Sequence, residues 1–169
     1  MRFPLTIATL VLSTVFWSCG QRLTGPKADG FVIQVRTSLS SPTGSPEQPI
    51  DVTATATNRG PRTIYHPESC WLGAVRFEVL DPEGQSVSWY DPRMAPLCPD
   101  ACCVPLEPGE SAGATLRFSG QLFTEEGAPY QAPAGTYTVM ARFDAHTEPQ
   151  GGNPISATRR LTFHWRGAT

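Results

Sequence analysis

Apolar and polar residues alternate along much of this chain, and a period of two is the pattern of a β-strand with one buried face. The alternation is clearest in residues 50–57, 75–79, 111–118 and 136–143. Turn-forming residues separate these segments, for example Asn58-Arg59-Gly60-Pro61. No long segment after the N-terminal region shows the 3.6-residue period of an amphipathic helix. The pattern therefore predicts an all-β protein.

Eight segments show the strand pattern, and loops that contain proline, glycine and serine join them. The predicted strands are residues 31–37, 50–57, 62–65, 74–80, 85–90, 111–118, 136–143 and 156–165. The predicted loops include residues 40–49, 119–132 and 145–154, together with an irregular insertion rich in cysteine and proline at residues 91–105. About seven or eight short strands separated by turns predict an antiparallel β-sandwich.

The apolar positions on one side of the predicted strands should form the core of the sandwich. These positions are Phe31, Ile33, Val35, Val52, Val75, Phe77, Val79, Leu116, Phe118, Tyr137, Val139, Phe143, Leu161 and Phe163. Full burial of one such side chain is worth roughly 1.5–3 kcal/mol, so a core of this size can support the fold.

The N-terminal region is apolar without alternation. One early positive charge, Arg2, precedes an apolar run at residues 5–17, and Ser18 is a small residue after it. A charged start, an apolar stretch and a small-residue cleavage site are the three parts of a secretory signal. The sequence Phe16-Trp17-Ser18-Cys19-Gly20 also resembles the lipobox of bacterial lipoproteins, in which the cysteine is lipidated and becomes the mature N-terminus.

This resemblance divides the chain into three parts. Residues 1–18 are predicted to be a lipoprotein-type signal peptide, residues 19–30 a tether and residues 31–169 the sandwich domain. Lipid on Cys19 would anchor the protein to a membrane of the bacterial cell envelope, on the extracytoplasmic side. Each buried methylene contributes about 0.8 kcal/mol, and two acyl chains hold stably where one does not. The alternatives are ordinary secretion with cleavage near Ser18 and an uncleaved cytosolic protein.

Length and charge narrow the classes of function. The chain has 169 residues, which gives the mature part enough length for one domain with one core. Charged residues make up 17% of the chain and the formal net charge is −2, so there is no basic field to attract nucleic acid. We therefore expect no nucleic-acid partner.

Four cysteines follow Cys19, and in an exported domain an even number predicts disulfides. They are Cys70, Cys98, Cys102 and Cys103. A bond between neighbours would be strained, so we expect one of the adjacent pair to bond to Cys70 and the other to Cys98. Cys70–Cys102 with Cys98–Cys103 is slightly favoured, and the exchanged pairing stays open. The bond to Cys70 would close a loop of about 30 residues and stabilise the fold by roughly 3 kcal/mol.

The same cysteines together with His66 are the residue types that bind zinc or copper. Their spacing does not follow a zinc-ribbon pattern, and in an oxidising compartment the thiols should pair first. We therefore expect no metal and no cofactor, with a metal or redox protein as an alternative.

Four further segments occur in a characteristic order. They are Thr57-Asn58-Arg59-Gly60, Val75-Arg76-Phe77-Glu78-Val79-Leu80-Asp81-Pro82-Glu83-Gly84, Leu106-Glu107-Pro108-Gly109-Glu110 and Pro133-Ala134-Gly135-Thr136-Tyr137-Thr138-Val139. Over residues 31–143 this arrangement resembles the BsuPI-type intracellular proteinase inhibitor domain. The resemblance implies an immunoglobulin-like sandwich and inhibition of a proteinase. The insertion at residues 91–105 and the export signal are departures from that family.

Catalytic spacing is not evident in this sequence. His66 and His146 fall in predicted loops, His164 falls in the last predicted strand, and there is no Gly-x-Ser-x-Gly motif around a nucleophilic serine. We therefore expect a protein that is not an enzyme.

Four aromatic residues near predicted loops, Trp71, Trp89, Tyr90 and Tyr130, could form a binding face. Those at the end with the cysteine-rich insertion form the candidate binding surface. They are Trp71, Trp89 and Tyr90. Aromatic side chains bring a large contact area at low entropic cost, although they can equally cover the end of the sandwich. The sequence thus predicts a lipid-anchored, extracytoplasmic binding module for an unidentified protein, with a BsuPI-type proteinase inhibitor as the closest alternative.

Overall fold

A computed structural model describes residues 30–68, 73–94 and 101–167, and almost all regular structure in these ranges is β-strand. The strands are β1 (Ile33–Leu39), β2 (Thr43–Gly44), β3 (Ile50–Asn58), β4 (Ile64–Glu68), β5 (Val75–Leu80), β6 (Ser86–Val87), β7 (Ala101–Leu106), β8 (Ser111–Phe118), β9 (Gln121–Phe123), β10 (Pro129–Gln131), β11 (Gly135–Glu148) and β12 (Gly151–Trp165). A single 3-10 turn, Pro92–Met94, is added to them in the described ranges. The predicted all-β class is confirmed. Within these ranges, no helix is long and apolar enough to cross a membrane.

The strands form two main sheets. The smaller sheet has the order β1-β3-β8 and is antiparallel throughout. The larger sheet has the order β2-β12-β11-β4-β7, and β5 also pairs with β11 and with β6. Within the larger sheet β2 runs parallel to β12, whereas its other pairings are antiparallel. Strands β9 and β10 form a separate hairpin. The chain therefore forms a β-sandwich.

The alternation of each strand places apolar side chains between the two sheets, in two clusters. The first includes Ile64 and Phe143, and the second includes Phe118, Tyr137 and Trp165. Phe118 contacts the rings of both other aromatic residues, with centroids 5.0 Å apart in each case. These side chains are fully buried or nearly so, and each contributes roughly 1.5–3 kcal/mol through burial.

The predicted core agrees with the observed core at every position. The buried members are Phe31, Val52, Val75, Val79, Leu116, Phe118, Tyr137, Val139, Phe143 and Phe163, and the partly buried members are Ile33, Val35, Phe77 and Leu161. The prediction omitted several buried apolar residues, including Ile50, Leu122 and Trp165. Each of these lies at an end of a strand or in a segment that was predicted to be a loop.

Buried Asn58 explains why the predicted turn after β3 forms. Its Nδ2 donates hydrogen bonds to the carbonyl oxygens of Arg62 and Leu106, at 2.8 and 2.9 Å. Its Oδ1 accepts a hydrogen bond from the backbone N–H of Gly60 at 3.0 Å. Because a buried amide is costly unless its groups are paired, these bonds hold the turn and join the end of β7 to the end of β3.

Tyr137 is a second buried polar side chain with a partner on the backbone. It is fully buried near the start of β11, and its hydroxyl donates a hydrogen bond to the carbonyl oxygen of Pro133 at 3.0 Å. The bond spans four residues and fixes the chain as it enters the strand. Burial raises the pKa of the Tyr137 hydroxyl. Electrostatic repulsion from Asp81, Tyr130 and Glu83 raises this pKa further.

Three predicted loops contain strands, and those predictions were wrong. Residues 101–105 of the predicted irregular insertion belong to β7, residues 119–132 contain β9 and β10, and residues 43–44 form β2. Strands β9 and β10 have only three residues each and pair with each other, whereas β7 pairs with β4, and β2 pairs with β12, which is distant in sequence. A pairing of this kind leaves little local pattern.

The predicted loop at residues 145–154 is also wrong, because β11 and β12 continue into a long hairpin there. Ala145 and Ile155 face each other across the two strands and are buried. Pro154, which suggested a loop, lies opposite His146 in a part of β12 that pairs with β11 on one side only. A proline is tolerated in an edge position, since its missing N–H is not needed by a second neighbour.

Conversely, the predicted strand at residues 85–90 is shorter than expected. Only Ser86–Val87 pair with β5, and Ser88 makes an isolated bridge with Phe123. The chain then leaves the sheet at Trp89, where the candidate surface begins.

Candidate functional site

Trp89 covers one end of the core. Its indole is partly buried against the second cluster, and its Nε1–H donates a long hydrogen bond to the carbonyl oxygen of Phe77 at 3.4 Å. Trp89 follows the bridge between Ser88 and Phe123, so two strands fix its backbone. Most of its role is therefore packing, which is the alternative that the sequence left open for these aromatic residues.

Tyr90 lies against the outer side of Trp89. The two rings meet edge to face, with centroids 5.2 Å apart and planes at 72°. The hydroxyl of Ser88 donates a hydrogen bond to the carbonyl oxygen of Tyr90 at 2.6 Å, which turns the chain back on itself. Tyr90 is half-buried. Tyr90 is therefore both held in place and partly accessible to solvent.

The first residues of the insertion are held in a compact turn by Asp91 and Arg93. The guanidinium donates two hydrogen bonds to the carboxylate, from Nε at 3.0 Å and from the terminal nitrogen at 2.8 Å. The backbone N–H of Arg93 also donates to Asp91 Oδ1 at 3.0 Å. These hydrogen bonds lower the pKa of Asp91 and raise that of Arg93, because each charged form is stabilised by its partner.

The β9–β10 hairpin packs against this turn. Gly127, at the hairpin tip, has a positive φ of 80°, and a Cβ there would overlap the side chains of Arg93 and Asp91. On the same hairpin Tyr130 lies opposite buried Leu122 and is 40% exposed, which makes it the most exposed large apolar side chain among the described residues. The sequence named Tyr130 among the aromatic residues near loops but placed the candidate surface at Trp71, Trp89 and Tyr90, beside the cysteine-rich insertion.

Tyr90, Tyr130 and the Asp91–Arg93 turn therefore form the described part of the candidate surface, which we call the aromatic rim. Its components come from two segments that are about 40 residues apart in the chain. Partly buried Trp89 supports it from below.

Some predicted site residues lie outside the described part of the chain. They are Cys19, Cys70, Cys98 and Trp71. Cys102 and Cys103 have their backbone in β7, which is extended as the disulfide argument assumed. Strand β7 pairs with β4, whose Ile64 belongs to the first core cluster, whereas Trp89 packs on the second. The described residues thus place the Cys102–Cys103 backbone and the aromatic rim beside different halves of the core.

The histidines are in strands, and the prediction that His66 and His146 lie in loops was wrong. His66 is buried in β4, where its ring packs on Phe143 with centroids 5.4 Å apart. Its Nδ1 lies 3.1 Å from the carbonyl oxygen of Pro67. His146 lies in β11, and its Nδ1 is buried without a hydrogen-bond partner. In the described ranges, no three histidine, cysteine, aspartate or glutamate side chains are grouped as metal ligands would be.

Comparison with known proteins gives distant structural similarities. No protein-family model matches the chain, and no curated protein matches it. Among solved structures, a β-glucosidase from Erythrobacter marinus is 13% identical over 80% of this chain, with a TM-score of 0.45. A β-glucosidase from Listeria innocua is 12% identical over 82% of this chain, with a TM-score of 0.44.

The chain spans only 15% and 16% of these two enzymes. A protein described as ApaA from Bordetella pertussis is 16% identical, covers 79% of this chain over 91% of its own length and has a TM-score of 0.42. At such identities and TM-scores these similarities carry no argument about activity.

Proposed function

We propose that this chain is a non-enzymatic, immunoglobulin-like binding module, held at the extracytoplasmic side of a bacterial membrane by lipid on Cys19, and that it binds another protein. The lipobox-like sequence around Cys19 motivates the anchor. The aromatic rim is the observation that carries the binding role, because it is an aromatic surface supported by Trp89, the Asp91–Arg93 turn and the β9–β10 hairpin.

Two features support the immunoglobulin-like form of the sandwich. The first strand pairs antiparallel with β3 in one sheet, and the chain then crosses to pair β2 in parallel with the final strand of the other sheet. The hydroxyl of Tyr137, near the start of β11, donates a hydrogen bond to the backbone four residues upstream. Immunoglobulin-like domains have such a tyrosine corner near the start of their strand F. The resemblance to BsuPI-type domains points to the same fold.

The aromatic rim has the properties of a protein-contact surface. Tyr90 and Tyr130 contribute apolar area with few rotatable bonds, and tyrosine is enriched where interfaces are strongest. The Asp91–Arg93 hydrogen bonds and the close fit of Gly127 hold the rim in place before binding. A surface that is already ordered loses less conformational entropy when a partner docks.

Photocrosslinking in the native membrane tests this role. Benzoylphenylalanine in place of Tyr130 should give one discrete protein adduct, and the same group in place of Val32 is the matched control. The two residues are 40% and 36% exposed, and Val32 lies between Phe31 and Ile33 of the first core cluster, whereas Trp89 under the rim packs on the second. The adduct at position 130 should disappear in a Tyr90→Ala background. Equal adducts from both positions, or none from position 130, would contradict the proposal.

Proteinase inhibition is the second candidate function. The insertion begins with a turn that its own hydrogen bonds hold rigid, and inhibitory loops gain affinity from such pre-organisation. A panel of extracellular proteinases assayed with micromolar protein separates the two proposals. Inhibition that is lost on changing residues of the insertion would favour the inhibitor.

A further inference from the structure

We propose that the solvent face of the β5–β11–β12 sheet is a second docking surface, which binds a carboxylate on an acidic segment of a partner protein. This surface is distinct from the aromatic rim, and its test stands independently of the proposed function. It is built from two adjacent rows of side chains across three strands.

The first row places two arginines side by side. Arg76 of β5 is the register partner of Arg142 of β11, and Thr158 of β12 completes the row. Directly opposed residues in an antiparallel pair point to the same face with Cβ atoms about 5 Å apart, and like charges in this position are destabilising. An anion bound between the two guanidiniums would remove that repulsion.

The second row gives the surface an apolar centre. It consists of Glu78, Met140 and Arg160, which are register partners across the same three strands. Arg76, Arg142 and Thr158 of the first row line an open groove of about 430 Å³ together with Glu78, Met140 and Asp144, and Arg160 lies beside Met140 outside the groove lining. A carboxylate held by the first row would bring its neighbouring side chain onto the thioether of Met140.

The two opposed arginines differ in their partners. Arg142 donates from Nε to Asp144 Oδ1 at 2.8 Å, which fixes the direction of its guanidinium while leaving its terminal nitrogens for another acceptor. Among the described residues, Arg76 makes no ion pair, even though Glu78 lies two positions along the same strand. One arginine is therefore oriented and the other has its donors available, which suits a planar carboxylate.

The balance of charge favours a protein carboxylate over a membrane surface. Within the groove Arg76 and Arg142 are balanced by Glu78 and Asp144, and only Arg160, opposite Met140 on the neighbouring strand, adds one net positive charge to the surface. Lipid-binding patches use clusters of about four to eight basic residues. The Arg76–Arg142 pair is smaller than such a cluster, and two neighbouring guanidiniums suit one carboxylate group.

Binding of a labelled peptide of alternating glutamate and glycine tests the proposal, with the glutamine counterpart as the reference. The measurement is fluorescence anisotropy with the detergent-solubilised full chain. We expect Arg76→Gln and Arg142→Gln each to weaken binding about tenfold, as for loss of a charge-assisted hydrogen-bonded pair. Added salt should weaken binding of the unaltered chain, because the groups are exposed.

Arg117→Gln is the matched control. Arg117 lies on the solvent face of the other sheet, is 68% exposed against 61% for Arg142, and also has an acidic partner, Asp51. An equal loss of binding in Arg117→Gln would mean non-specific attraction and would overturn the proposal. So would equal binding of the glutamine peptide, or stronger competition by glycerophosphoserine, a soluble lipid headgroup, than by the unlabelled glutamate peptide.

Discussion

At the scale of single residues, buried polar side chains determine how segments enter and leave the sheets. Asn58 bonds to three backbone groups and holds the turn after β3, and Tyr137 bonds to Pro133 and holds the entry to β11. Each side chain supplies the backbone groups of a turn with hydrogen bonds, as a neighbouring strand does within a sheet. Because the polar atoms are buried, an unpaired group left by substitution would cost about 1–3 kcal/mol.

The raised pKa of Tyr137 predicts a loss of stability at alkaline pH. Above about pH 10 the hydroxyl ionises in the unfolded chain but stays protonated in the folded one, so the free energy of unfolding falls as pH rises, by up to about 1.4 kcal/mol per pH unit. Below pH 10 this contribution is fully present. In Tyr137→Phe we expect a loss of about 1 kcal/mol at neutral pH from the missing hydrogen bond, and a shallower alkaline decline.

Urea unfolding of both proteins between pH 8 and pH 11 measures this effect. The tyrosines Tyr65, Tyr90 and Tyr130 are common to the two proteins, so the difference between their curves belongs to Tyr137. Parallel curves over the whole range would show that the hydroxyl is not protected in the folded state.

At the scale of elements, the sandwich depends on pairings between segments far apart in the chain. The short strand β7 has its place because β4 lies beside it, and the β9–β10 hairpin meets the main sheets through the bridge from Phe123 to Ser88. The hairpin tip at Gly127 then holds the Asp91–Arg93 turn. A change at the tip should therefore reach the aromatic rim.

Gly127→Ala should destabilise the protein more than Gly84→Ala does. Both glycines have a positive φ, 80° and 82°, so both changes incur the backbone cost of about 1 kcal/mol. Only at Gly127 does the new Cβ meet other side chains, whereas nothing lies within 4 Å of it at Gly84. Thermal unfolding compares the two variants. Equal shifts in Tm would show that the contact with the insertion adds nothing.

At the scale of the whole molecule, the main open features are the anchor and the oxidation state of the cysteines, and both remain predictions from the sequence. Intact and peptide mass spectrometry of protein taken from its native membrane without reductant tests them together. We expect a mature chain that begins at acylated Cys19 and has two disulfides among Cys70, Cys98, Cys102 and Cys103. An unmodified N-terminus with free thiols would remove the extracytoplasmic placement and bring the metal-binding alternative with His66 forward.

The sequence predicted the long strands better than it predicted the candidate surfaces. Strands with a long alternating pattern, such as β3 and β8, were predicted within a residue or two, because burial of one face imposes the pattern on the chain itself. Trp89, Tyr90 and Tyr130 were noted from their aromatic character, but the placing of Tyr130 on a hairpin against the Asp91–Arg93 turn was not predicted, since β10 is only three residues long. The Arg76–Arg142 pair was also missed, because the sequence of one strand does not specify which residues of its neighbour lie opposite.

The sequence by itself determined the all-β class and the alternating core from Val52 to Phe163, while the division into signal, tether and domain stays a prediction. These follow from local patterns of polarity, which act on each segment separately. Only the tertiary structure decided that β2 joins β12 in parallel, that His66 is a packed strand residue and that Tyr130 lies on the hairpin whose tip contacts the Asp91–Arg93 turn. The physical reason is that strand pairing and burial depend on which distant segment lies beside each strand. The sequence of a single segment does not specify that neighbour.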